Sequence, residues 1–167
     1  ISQTIAQIGI PWYNMFGNHD YNRAAQSDLY SDETFERFFG PSTYAFEYGR
    51  VVFIGLKDIF FKPGGGSTSR FSEDQLAFVE NYLANVPPDR LVVLMMHVPI
   101  VACQNREEMF RLIEHRPHTF SISAHAHEQL HVFVRENLGW HGKEPHHHFI
   151  NATVCGCWWC GAFDELG

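Results

Sequence analysis

Asn18, His19 and Asp20 in the stretch FGNHDY, His97 in MMHVP, and His125 and His127 in SAHAHE are the residues whose types and spacing could do chemistry together. A neutral imidazole is the commonest metal-ligating side chain, and a carboxamide oxygen is a hard ligand for a divalent cation. Imidazole also exchanges a proton near neutral pH, so a His in such a group can serve as a general acid or base. Two of these stretches have ordinary explanations when taken alone. One His after an apolar strand can simply pack and hydrogen-bond, and His-x-His falls on one face of a strand by default. GNHD is more particular: at about 5% per residue type it should arise by chance in on the order of one in a thousand chains of this length. Its company with the other two stretches strengthens all three.

Each stretch follows a predicted strand. IPWYNMF reads as a short strand ending at Phe16, Leu91 to Met96 as a strand buried on both faces, and HTFSIS as a strand that runs into the two histidines. In sheets covered by helices, ligand sites gather at the C-terminal ends of the strands, so three separate pieces of chain are expected to converge on one pocket. The intervening segments supply the covering helices. The spacing predicts a short helix over 32–39 and another over 106–115. The clearest helix opens with a capping box, Ser72 with Gln75, and continues through Leu76, Val79, Tyr82, Leu83 and Val86 until Pro87-Pro88 stop it. Gly49-Arg50 between two β-rich runs is a hairpin signature, and Tyr44, Phe46 and Tyr48 alternate onto one aromatic face. The first ten residues read as the end of a helix followed by a turn from Gly9 to Pro11. FKPGGGSTSR reads as a loop; it has no Gly-Lys-Ser/Thr and is a poor match to a phosphate-cradling P-loop.

Composition narrows the function classes. The chain has 167 residues, 45% of them hydrophobic and 15% aromatic, enough for a globular domain with a core. With 12 Lys+Arg against 19 Asp+Glu the formal net charge is -7, which disfavours binding to long nucleic acids or anionic membranes. No apolar run approaches the ~20 residues that span a bilayer. The four cysteines, Cys103 alone and Cys155, Cys157 and Cys160 in CGCWWC, form no regular framework and leave the redox compartment and localisation open.

These residues resemble the calcineurin-like metallophosphoesterase superfamily, whose later motifs are Gly-Asn-His-Asp/Glu, an isolated His after a hydrophobic strand, and Gly-His-x-His. Here they stand as Gly17-Asn18-His19-Asp20, Met96-His97 and Ala124-His125-Ala126-His127, with Ala124 where the family usually has Gly. The likeness covers about residues 8–128, and the tail PHHHFINATVCGCWWCGAFDELG resembles the end of this domain in a bacterial multidomain subgroup. The resemblance implies an α/β fold, a β-sandwich flanked by helices, and hydrolysis of small-molecule phosphomonoesters or phosphodiesters with two divalent metal ions, commonly Mn, Fe or Zn, and a bridging hydroxide. It implies that Asn18, His97 and His125 ligate one metal, that His127 ligates the other, and that His19, oriented by Asp20, protonates the leaving oxygen. The family's first two motifs, Asp-x-His and Gly-Asp-x-x-Asp/Asn, do not occur in the chain. The chain is therefore expected to be a partial catalytic domain over 1–167, lacking its N-terminal strands, with a motif-bearing core over 8–135 and a C-terminal extension over 136–167, and to be inactive by itself.

Two other readings use different residues. A domain of the same fold without metals would act as a binding module. Cys155, Cys157 and Cys160, together with His146, His147 and His148, could instead build a zinc or redox site, since Cys-x-x-Cys is a recognised spacing, although two tryptophans fill its gap and no second Cys pair follows. The His triplet itself is expected as solvated loop residues near the pocket mouth, with His115, His118, His131 and His141 as surface or packing residues.

Overall fold

A computed structural model describes residues 2–62 and 65–152. The chain builds a six-stranded mixed sheet from β1 (Tyr44–Tyr48), β2 (Val51–Gly55), β5 (Leu91–Met95), β6 (Thr119–Ser123), β7 (Leu130–Val134) and β8 (His146–Ile150), ordered β1-β2-β5-β6-β8-β7. The central strands β2, β5, β6 and β8 run parallel, while β1 and β7 are antiparallel at the two edges. The parallel register brings the C-terminal ends of β2, β5 and β6 side by side, the topology expected to gather a site. β3 (Ile59–Phe61) and β4 (Ser67–Ser69) form a separate two-stranded ribbon, β3 leading into the stretch expected as a plain loop and β4 lying within it. Its pairing depends on a cross-strand partner, which a Gly-rich composition does not reveal.

The apolar run of β5 is buried because both sheet faces are lined with side chains. On one face Val52, Ile54, Val92, Leu94 and Val134 pack with Val79 and Leu83 of α3 (Glu73–Leu83) and with Met109, Phe110 and Ile113 of α4 (Arg106–Ile113). Burying a Val, Leu, Ile or Phe side chain contributes about 1.5–3 kcal/mol, so this layer is the main source of cohesion. α3 starts as its sequence demands: Ser72 accepts from Gln75 N–H at 3.2 Å, and Ser72 N–H donates to Gln75 Oε1 at 3.0 Å. At its other end the buried Arg116 guanidinium donates to the carbonyls of Leu83, Val86 and Pro87, supplying the acceptors of a helix end with a cation. α2 (Glu33–Phe39) places Phe35 edge-on to Phe16, in a smaller core with Ile59 and Val98. α1 covers Ser2–Ala6, followed by a left-handed Gly9.

On the opposite face the β1–β2 hairpin presents Tyr44, Phe46 and Phe53, and Tyr13 stacks on Phe46 with ring centroids 3.7 Å apart. The segment before Asn18 is no strand. Residues 11–17 run without ladder partners and are held by side chains instead: Tyr44 Oη donates to Asn14 O at 3.1 Å, and Phe16 is fully buried. Gly55 makes that clamp possible, since a Cβ there would lie 2.6 Å from the Tyr44 ring.

The His triplet also differs from expectation. It lies in β8, with His146 and His148 buried on the helix-covered face and His147 half-buried on the other. The two buried rings alternate with hydroxyls of β6: Thr119 Oγ1 to His146 Nδ1 at 2.9 Å, His146 Nε2 to Ser121 Oγ at 2.7 Å, Ser121 Oγ to His148 Nδ1 at 2.7 Å, and His148 Nε2 to Ser123 Oγ at 2.9 Å. A neutral imidazole offers one donor and one acceptor and a hydroxyl offers both, so all four bonds can run with a single polarity. With both nitrogens of each ring engaged, His146 and His148 are not available as zinc ligands. Cys155, Cys157 and Cys160 lie outside the described residues.

Candidate metal centre

The β5 run ends at Met95, and His97 follows on a turn fixed from behind. Its N–H donates to Asp58 Oδ1 at 3.1 Å, and Val98 N–H donates to both Asp58 oxygens at 3.1 and 3.0 Å. Asp58 is fully buried, and the cost of desolvating its carboxylate pushes its pKa up to about 7 despite those donors. Its neighbour Lys57 bonds Asp28 and Asp32, each at 3.1 Å, and lies 5.2 Å from the Phe16 ring centroid. The pair therefore secures both chain segments that meet at the site. The sequence reading missed them. Their signal was present, since two charged residues straight after VVFIGL obey the same strand-end rule that singled out His97.

Gly17 is required by close approach. A Cβ there would lie 2.8 Å from His97 Nδ1 and 2.9 Å from Cε1, so the imidazole rests where a side chain would be. The GNHD turn is closed twice, by Asp20 N–H donating to Gly17 O at 3.0 Å and by Gly17 N–H donating to Asp20 Oδ2 at 2.8 Å. The Asp20 carboxylate thus fixes the turn that aims Asn18 and His19; the hydrogen bond it makes goes to Gly17 rather than to the His19 ring.

After β6 the chain enters left-handed backbone at His125 (φ 63) and again at His127 (φ 58), the non-glycine residues of positive φ among those described. Such conformations cost on the order of 1–3 kcal/mol and cluster at functional sites. Ala124 itself is not at positive φ, and its N–H donates to His97 O at 3.0 Å, so an alanine is accommodated where a glycine is more usual.

These local arrangements bring three donor atoms together. His97 Nε2 lies 2.8 Å from Asn18 Oδ1 and 3.0 Å from His125 Nδ1. Adjacent ligands of an ion bound at about 2.1 Å stand about 3 Å apart, so the donor set fits a divalent cation. Burial, followed by the nearby His125, His19 and His127, lowers the His97 pKa to about 4; burial and then His127 and His19 lower that of His125. Both rings are therefore neutral at pH 7, the form that ligates a metal. Asn18, His19, His125, Ala126 and His127 line an open cleft of about 400 Å³ that gives access to the set. Among the described residues no three His, Cys, Asp or Glu side chains gather as a metal site, because this cluster consists of an amide and two imidazoles, all uncharged.

Substituting Gly17→Ala should therefore displace the His97 ring. Overpacking of this kind costs about 1–3 kcal/mol, so we expect a lower melting temperature together with weaker Zn2+ binding by calorimetric titration. An unchanged melt and titration would mean that the ring accommodates the methyl group.

Comparisons with known proteins identify the family. A family profile describing calcineurin-like phosphoesterases matches residues 1–129. No curated protein matches the chain. No described helix is long and apolar enough to cross a membrane. The profile match spans the GNHD turn, His97 and both histidines after β6, and the chain belongs to the calcineurin-like phosphoesterase family.

Proposed function

We propose that this domain is a metal-dependent phosphoester hydrolase in which Asn18, His97 and His125 hold one divalent ion, His127 contributes to a second, and His19 serves as the acid for the leaving oxygen. The convergence of Asn18 Oδ1 and His125 Nδ1 on His97 Nε2, at 2.8 and 3.0 Å, carries this reading. When bound, the ions, of the Mn, Fe or Zn type, would supply positive charge for the phosphoryl oxygens and acidity for an attacking water. The chain's own residues do the rest. Asp58 holds the His97 backbone, Gly17 admits the His97 ring, and Asp20 closes the turn that carries His19 into the cleft. His19 is exposed there and can reach a bound ester. In its imidazolium form it donates a proton to the departing oxygen, which would otherwise leave as a basic alkoxide.

The described donor set contains no carboxylate to offset cation charge, so it should bind metal weakly, and we infer that hydrolysis needs acidic ligands in addition. The test is hydrolysis of para-nitrophenyl phosphate and its bis-ester with Mn2+. The 167-residue chain is compared with a chain extended at its N-terminus by Asp-x-His and Gly-Asp-x-x-Asp segments. We expect chelator-sensitive turnover from the extended chain and little from the shorter one. Full turnover from the shorter chain would remove the need for further ligands, and none from either would remove the hydrolase reading.

A further inference from the structure

A second cleft, of about 560 Å³, is bounded by Asn18, Tyr21, Arg23, Phe61, Gly66 and Ser67. It shares Asn18 with the cleft that carries His19, His125 and His127, so the two meet at the converging donor atoms. Among the described residues neither is lined by an Asp or Glu side chain, although the chain has 19 acidic against 12 basic residues; the nearby Asp28 carboxylate is engaged by the Phe61 N–H and Lys57. The larger cleft has instead an exposed cation, Arg23, which makes no ion pair among the described residues. Tyr21 and Phe61 set two aromatic rings along it, with centroids 5.7 Å apart. Gly66, at φ 82, leaves the facing wall open, since a Cβ there would meet nothing within 4 Å. Ser67 stands opposite Phe61 in the β3–β4 register and places a hydroxyl at the same rim. Its volume falls within the roughly 300–1,000 Å³ range of small-molecule sites.

We propose that this cleft is the leaving-group subsite and that Arg23 binds a second anionic group, phosphate or carboxylate, on a leaving group whose ring lies along Phe61 and Tyr21. The assignment rests on the phosphoesterase reading of the adjoining histidines. A guanidinium pairs bidentately with either anion, and Arg23 has no ion-pair partner among the described residues to compete for it. The preferred substrates are thus phosphoesters of ring-bearing alcohols or phenols that carry a further negative charge.

The probes are phenyl phosphate, 4-carboxyphenyl phosphate and 1,4-phenylene bisphosphate, which share a ring and differ in the second anion. Their dissociation constants for the 167-residue chain are read from backbone amide shifts by NMR, which needs no turnover. We expect the two probes that carry a second anionic group to bind about five- to tenfold more tightly than phenyl phosphate, with shifts at Arg23, Gly66 and Ser67. Arg23→Ala should reduce that preference to about one, and Arg23→Lys should keep part of it. Whichever anion gives the larger Arg23-dependent gain identifies the natural group. Equal binding of all three probes, no binding of any, or a preference that survives Arg23→Ala would overturn the subsite. Failure of the hydrolase reading would show separately, as absent turnover by the extended chain with the binding preference intact.

Discussion

Replacing His97 with Ala is expected to abolish specific metal binding while leaving the fold in place. Its Nε2 is the atom on which both other donors converge, 2.8 Å from Asn18 Oδ1 and 3.0 Å from His125 Nδ1. Without it the remaining two donors have no common centre. Loss of partners that merely support a ligand typically weakens metal affinity by about 10–100-fold, so loss of the central ligand should cost at least about a hundredfold. The contacts that hold the turn use the backbone N–H of residues 97 and 98 and the Asp58 carboxylate, none of which the substitution removes. The variant should therefore keep its circular dichroism spectrum. Zn2+ titration of the chain gives the affinity directly, and the same substitution in the extended chain should eliminate turnover of para-nitrophenyl phosphate. Retention of Zn2+ affinity within about twofold would show that the cluster is a packing arrangement.

Legibility in the sequence followed the range of the interactions involved. α3 could be read to its first residue because a capping box is a contact between positions three apart. The β1–β2 hairpin was legible for the same reason, and so was the buried β5, whose apolar run needs no partner to be recognised. The histidines after β5 and β6 were legible because polar residues directly after such runs must sit at strand ends. Long-range pairing defeated the pattern elsewhere. IPWYNMF has the composition of a strand, yet the Tyr44 hydroxyl and Phe46 ring hold it from thirty residues away without a ladder. The strand-end position of Asp58 could be read from the sequence, but not its partner: it supports His97 across 39 residues. HHHFI was the clearest miss: three histidines suggest water, but alternate hydroxyls on β6 satisfy two of the rings inside the core. Only the β6–β8 register reveals that match.

That register makes the fold sensitive to acid. Burial, and then the charge of neighbouring histidines, lowers the pKa of His146 to about 3 and of His148 to about 4, against about 6.5 in an unfolded chain. As pH falls below about 6.5 the unfolded chain takes up protons that the folded ladder refuses until about pH 3–4. Stability contributed by the neutral rings is therefore complete above pH 6.5 and declines down to that point. At pH 4.5 each ring should have forfeited roughly 2–3 kcal/mol, at about 1.4 kcal/mol per pH unit. His97, lowered to about 4, acts in the same direction. Asp58 opposes them: its pKa near 7 lets the folded state bind a proton between pH 7 and 4 that the unfolded carboxyl lacks. Three lowered imidazoles outweigh one raised carboxyl, so urea unfolding should lose several kcal/mol between pH 7.5 and 4.5, a large part of an ordinary domain's stability. His148→Gln, which keeps a donor and an acceptor but cannot be charged, should flatten the profile. A parent stability that stays level over this range would mean that the buried rings accept protons without opening the sheet.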